Sequence, residues 1–150
     1  GNLYVTEDNR IRKINFKKQS VHLVLYKSKD RLTEVMDGNK TVLTLEYCAH
    51  QIMGIAVASD GAIFFANRLQ HTIEQHKNGK TTVIAGVEGK PGNLDGPALE
   101  SLFYYPHSIE FSGDSLYITQ QSGTIRRLNL RYRRVSSLHG PRHGSGYALT

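Results

Sequence analysis

The sequence predicts an all-β repeat protein, on three observations. Three short words rich in β-branched and aromatic residues, Leu3-Tyr4-Val5-Thr6, Ile63-Phe64-Phe65-Ala66 and Leu116-Tyr117-Ile118-Thr119, suit the pleated surface of a strand. After a polar turn, each is followed by a second strand carrying Ile11, Ile73 or Ile125, and a valine stands ten residues beyond each of these, at Val21, Val83 and Val135. The unit therefore recurs at 62 residues (21 to 83) and then at 52 (83 to 135), and periods of this size belong to solenoids and propellers.

A further strand precedes the word in the later two units. Gly54-Ile55-Ala56-Val57 leads to Ile63, and Ser108-Ile109-Glu110-Phe111 leads to Leu116, so a complete unit has four strands. The first unit is expected to lack this opening strand, since only two residues stand before Leu3. Turns fall at Asp60-Gly61, Asn78-Gly79 and Ser122-Gly123, where glycine supplies the positive φ that tight reversals need. Helical apolar spacing occurs only over Pro97 to Phe103. The expected division is a partial unit over residues 1–25, an insertion over 26–51, a second unit over 52–86, a connection over 87–105, a third unit over 106–140 and a tail over 141–150.

Composition narrows the functional classes. With 39% hydrophobic and 21% charged residues in 150, the chain is expected to form one folded domain. Its apolar runs are far shorter than the roughly 20 residues that span a bilayer, and no membrane partner is expected. The single cysteine, Cys48, excludes an intrachain disulfide and a cysteine-rich zinc module, and reads as a small buried apolar residue. Asn39-Lys40-Thr41 matches the glycosylation acceptor pattern, which matters only in a secreted protein. The net charge of +6 is uneven, with the last third the most one-sided at six basic against two acidic residues.

Gly1-Asn2-Leu3-Tyr4-Val5-Thr6, Asn9-Arg10-Ile11-Arg12-Lys13-Ile14, Val83-Ile84-Ala85-Gly86 and the glycine-spaced loop Gly86, Gly89, Gly92, Asp95-Gly96, followed by Phe103 and Pro106, together resemble the NHL-repeat family of β-propellers. The resemblance covers nearly the whole chain and implies four-stranded antiparallel blades, incomplete here at about two and three-quarter blades. Departures occur at Ala66-Asn67-Arg68-Leu69-Gln70-His71, at Gln120-Gln121-Ser122-Gly123, and in the 26–53 connection, where Ile52-Met53 stands in place of a proline. Repeat units bury their faces against neighbours, so the chain is expected to be a segment of a longer propeller, or to close a ring by self-association.

No catalytic constellation stands out. The sequence lacks G-x-S-x-G, H-E-x-x-H and G-x-x-x-x-G-K, and the Gly86 to Gly96 series lacks the strand-then-helix setting of a phosphate cradle. His107 precedes an inner strand, and Pro106-His107-Ser108 resembles a zinc-ligand motif of the peptidyl-hydroxyglycine lyases that share the fold, which implies a metal-dependent lyase or hydrolase as one alternative. A catalytic zinc needs about three protein ligands, and unit two offers only Met53-Gly54 at the matching place. His71, His76, His139 and His143 share no ligand spacing and read as surface residues. Arg126, Arg127, Arg131, Arg133 and Arg134, near Tyr132, suggest phosphate contacts and base stacking, hence single-stranded RNA as another alternative. Because arginines alternating along outer strands cannot share one face, a solvated sheet edge is the simpler expectation.

The leading expectation is a non-catalytic scaffold that binds a protein partner through its loop rim, with no cofactor and no metal. Its contact residues are expected at the turns: Asp8, Asn9 and Arg10, then Asn67, Arg68 and His71, then Gln120 and Gln121, with His107 near the channel.

Overall fold

The computed structural model describes residues 2–7, 10–15, 17–18, 20–26 and 51–139. Twelve strands and no helix occur among the described residues. The first sheet holds β1 (Asn2–Glu7), β2 (Arg10–Asn15) and β3 (Ser20–Tyr26). The second holds β4 (Ile52–Val57), β5 (Ile63–Asn67), β6 (Thr72–Lys77) and β7 (Lys80–Ala85). A two-strand-residue piece, β8 (Gly96–Pro97), joins the edge of the third sheet, which otherwise runs β9 (Pro106–Ser112), β10 (Ser115–Gln120), β11 (Ile125–Asn129) and β12 (Arg134–His139). Every neighbouring pair is antiparallel, and each sheet is a meander in chain order apart from β8.

The equivalence of the three units is visible in their registers. In each, the pairing of the last two strands slips by one residue just after the repeat isoleucine: between Ile11 and Arg12, between Ile73 and Glu74, and between Ile125 and Arg126. The same β-bulge, at the same place, bends and twists the outer strand of all three sheets. The valines are less uniform than their spacing predicts. Val21 pairs with Ile14 and Val135 with Leu128, three positions after the repeat isoleucine, whereas Val83 pairs with Glu74, one position after it. The cause is the hairpin loop, which is two residues shorter in the second sheet, where Lys77 faces Lys80 across Asn78-Gly79. Thr81, opposite His76, occupies the register of the other two valines.

Burial follows from which faces are covered. The second sheet lies between the other two, and its central strand β5 is buried at all five positions. Ile63 and Phe65 pack with Ile11 and Ile52 toward the first sheet, while Phe64 and Ala66 pack with Ile109, Leu116, Ile118 and Leu128 toward the third. A strand covered on both faces reads as an unbroken apolar run, and Ile63-Phe64-Phe65-Ala66 is one. The third sheet is covered on one face, so β11 alternates between buried Arg126 and Leu128 and half-buried Ile125, Arg127 and Asn129.

The sheets approach most closely at their first strands, with β4 against β9 and β1 against β4. Gly54 makes the β4 to β9 approach possible, because a Cβ there would lie 2.6 Å from Ser108 Cα and 2.8 Å from His107 O. The apparent helical spacing of Pro97 to Phe103 resolves into a tight turn. Glu100 N and Ser101 N both donate to Pro97 O, and Ser101 Oγ donates to Ala98 O at 2.7 Å, folding the connection back instead of winding it.

Arg126 overturns the expectation of a solvated arginine edge. It is completely buried: Nη1 donates to Leu102 O at 2.8 Å, and Nη2 donates to Leu94 O at 2.8 Å and to Asp95 Oδ1 at 2.7 Å. The guanidinium carbon lies 5.1 Å from the centre of the Phe103 ring. Burial lowers its pKa, and the Asp95 carboxylate opposes that shift. Arg131, Arg133 and Arg134 are exposed as expected, but the first two share a single turn with Tyr132 rather than alternating along strands.

Replacing Gly54 by alanine forces backbone against backbone, and overpacking of this kind costs about 1–3 kcal/mol. Chemical denaturation of the full-length protein is expected to show that loss for Gly54→Ala and a smaller one for Gly61→Asn at the open β4–β5 turn, where no atom lies near an added Cβ and asparagine adopts the left-handed backbone more readily than other side chains.

Candidate binding rim

Antiparallel pairing brings certain segments to one end of the sheets. Ile52 pairs with Asn67, Pro106 with Gln120, and Glu7 with Arg10, so the start of β4, the start of β9, the end of β1, the start of β2 and the β5–β6 and β10–β11 turns share that end. Of the turn residues expected to act, Arg10, Asn67, Arg68, His71, Gln120 and Gln121 are therefore carried on neighbouring sheets at one rim. Asp8 and Asn9 lie outside the described residues, as do Cys48, the Asn39 acceptor triplet and His143; Arg10 is half-buried at the start of β2.

Tyr104-Tyr105, just before β9, is where the rim residues meet. Tyr104 N donates to Gln120 Oε1 at 3.1 Å, and Gln121 N donates to both Tyr104 O and Tyr105 O at 3.2 Å. Tyr105 N donates to His71 Nδ1 at 3.2 Å, which leaves the proton of the neutral ring on Nε2. The three rings pack together, with His71 edge-on to Tyr105 at 4.4 Å and Tyr104 edge-on to Tyr105 at 5.0 Å. Tyr105 is held at φ 46 and His71 at φ 59, a left-handed backbone that costs a bulky residue energy and persists only where the surroundings enforce it.

Arg68 bridges two sheets across this cluster. Its Nη1 donates to Gln51 Oε1 and its Nη2 to Gln121 Oε1, each at 3.0 Å, and its guanidinium lies 5.1 Å from the Tyr105 ring centre. Arg68 is half-buried, Gln121 exposed and Tyr104 38% exposed, so the cluster presents a cation, an amide and an aromatic ring to solvent.

Several expected contact residues are buried: Asn67, His71 and Gln120. Asn67 is buried and donates from Nδ2 to Glu74 Oε1 at 2.8 Å. Gln120 is buried as well, its Nε2 donating to Asn93 Oδ1 and, at 3.1 Å, to Ser122 Oγ. His71, read from the sequence as a surface residue, is 5% exposed because its ring fills the gap under Tyr105. His107 is half-buried within β9, its Nδ1 3.1 Å from Thr119 Oγ1. Among the described residues no group of three His, Cys, Asp or Glu side chains is arranged to hold a metal ion. The sequence reading missed Tyr104, Tyr105 and Gln51; an adjacent tyrosine pair directly before a strand-opening proline was the available signal.

No known family's sequence pattern and no curated protein sequence matches the chain. Its fold is similar to that of solved bacterial proteins. A structural genomics protein of unknown function from Bacteroides thetaiotaomicron VPI-5482 matches with a TM-score of 0.62 at 16% identity, covering 89% of this chain and 31% of the other. An auxiliary nutrient binding protein from the same organism matches at 0.63 and 13%, and another from Bacteroides ovatus ATCC 8483 at 0.62 and 17%; each covers 91% of this chain and 33% of the other. The chain thus spans about a third of the length of these proteins.

Burial, and then the Arg68 charge, lower the pKa of His71 below the ordinary 6.5. With a folded value below the unfolded one, the unfolded chain takes up the proton first. The stability contributed by the neutral ring is complete above pH 6.5 and shrinks as the pH falls below it. Denaturation midpoints between pH 8 and pH 5 are expected to show this decline in the wild type and a shallower one in His71→Asn, since asparagine tolerates the left-handed backbone and does not titrate.

Proposed function

We propose that this chain is a segment of an NHL-type β-propeller serving as a non-catalytic binding module, which takes a protein partner on the rim around Arg68, Tyr104 and Gln121. Support for the propeller comes from the shared bulge, the closeness of the first strands and the matching four-strand meanders, which are what blades radiating from an axis require. Such an arrangement needs further sheets to close, and similar structures about three times as long are consistent with that need. Two of those proteins are described as nutrient binding, which supports a binding role in general.

The observation that carries the reading is the convergence of an arginine and two tyrosines from separate segments onto one partly exposed cluster. Tyrosine and arginine dominate binding hot spots because each offers a large, rigid contact area with a polar handle. Nothing in the cluster pairs a nucleophile with a base. His107, the residue on which a lyase or hydrolase would depend, bonds Thr119.

RNA binding is the second reading, and one observation favours it: Arg131, Tyr132 and Arg133 lie together in the β11–β12 turn, with Tyr132 68% exposed. That turn is at the other end of β11 from the rim, about 15 Å away for a strand of this length.

Substitutions at the two ends separate the readings. In the full-length protein, Tyr104→Ala with Gln121→Ala is expected to weaken binding to its captured protein partner at least tenfold, while Arg131→Ala with Arg133→Ala leaves it unchanged. The reverse pattern, with affinity for single-stranded RNA that falls steeply with salt, supports the RNA reading instead.

A further inference from the structure

We infer that Arg68 is the seat of a carboxylate, so that the partner presents an acidic peptide segment to the rim. This rests on the rim being the binding surface and goes further, by naming the chemistry it reads. The hydrogen-bond partners of the Arg68 guanidinium among the described residues, Gln51 and Gln121, are both uncharged. Carboxylates elsewhere in the fold pair with other cations, Asp60 with Lys77 and Asp95 with Arg126. A half-buried guanidinium ordinarily draws a carboxylate to it, and this one has two amide oxygens and the Tyr105 ring instead.

These neutral contacts orient the group without neutralising it. Gln51 comes from the start of the second sheet and Gln121 from the third, so the fork is clamped from both sides and Tyr105 supports its plane. Two of its five N–H groups are committed to the amides, leaving donors for an incoming oxyanion. A side chain already held in place loses little further freedom on binding. Asp95, by contrast, fills the corresponding role for Arg126 inside the fold, and its guanidinium is sealed from solvent.

A peptide fits better than a nucleic acid because the cluster offers one cation. The exposed arginines Arg131, Arg133 and Arg134 lie at the opposite end of the third sheet, whereas a phosphate backbone is held by several cations spaced along it. The exposed part of Tyr104 and the Gln121 amide beside the guanidinium suit the apolar stem and backbone amides that flank an acidic side chain. The chain's net charge of +6 favours approach of an acidic partner.

The test titrates the full-length protein with a blocked tetraglutamate peptide and, separately, a blocked tetraglutamine peptide, following the Arg68 Nε–H and Gln121 side-chain amide signals by NMR. Tetraglutamate is expected to shift both signals and to bind at least tenfold more tightly than tetraglutamine. Arg68→Gln should abolish that preference while leaving the other amide signals in place. Arg68→Lys, which keeps the charge and loses the fork, should retain part of it. Equal binding of the two peptides at these signals overturns the carboxylate seat and leaves the rim standing. Binding that moves signals only elsewhere overturns both, and single-stranded RNA competing at Arg68 with a steep salt dependence overturns the peptide assignment.

Discussion

The Arg126 guanidinium is the interaction on which the rim depends. A charge removed from water is costly unless it is paired, and this one is met at its two terminal nitrogens by two backbone carbonyls and a carboxylate, while Nε has no hydrogen-bond partner among the described residues. Those partners lie on both limbs of the folded-back connection between the second and third sheets, Leu94 and Asp95 on one and Leu102 on the other. Asp95 also accepts from Ser137 N at 2.8 Å and Ser137 Oγ at 3.0 Å, which ties the connection to β12 as well as β11. Phe103 is buried against the same guanidinium, and the chain then has only two residues, Tyr104 and Tyr105, before β9 begins. The surface aromatics are thus positioned by a charge in the interior.

The same register position carries different chemistry in the three units. Arg126, Glu74 and Arg12 each follow the repeat isoleucine at the bulge, and all three are polar. The extra residue of each bulge, Val24, Ile84 or Leu138, is on the outer strand, so the polar residue opposite it faces a bent partner strand, and in the third sheet Arg126 reaches the connecting segment. Glu74 is completely buried in the second sheet, where Asn67 and Thr72 donate to its Oε1 at 2.8 Å and 3.4 Å. In the second sheet the buried carboxylate is tied to the residues flanking the β5–β6 turn, and in the third the buried guanidinium is tied to the incoming connection.

Strand composition made the all-β architecture legible in the sequence, because unbroken and alternating apolar patterns map directly onto two-sided and one-sided burial. Ile63-Phe64-Phe65-Ala66 and Leu116-Tyr117-Ile118-Thr119 both became strands, and their difference in pattern reflects the presence or absence of a covering sheet. The ten-residue spacing was a weaker guide, since loop length shifts register and Val83 lost its equivalence through a shorter hairpin. At the site, the turns were found from repeat position, but the distinction between contact and support was not. Asn67, His71 and Gln120 were expected among the contacts because polar turn residues are usually exposed. Their burial depends on partners distant in sequence, such as Tyr105 for His71 and Tyr104 for Gln120, which no local pattern encodes. Arg126 was misplaced for the same reason, as its acceptors lie 24 to 32 residues upstream.

Amide hydrogen exchange in Arg126→Leu compared with wild type tests most directly whether the buried guanidinium builds the rim. If it does, the Tyr104 and Tyr105 amides, bonded to Gln120 and His71 in the wild type, lose protection in the variant while the β5 and β6 amides keep theirs. Unchanged protection at Tyr104 and Tyr105 in a folded Arg126→Leu protein would contradict the account, because the rim would then hold its shape without the charge beneath it.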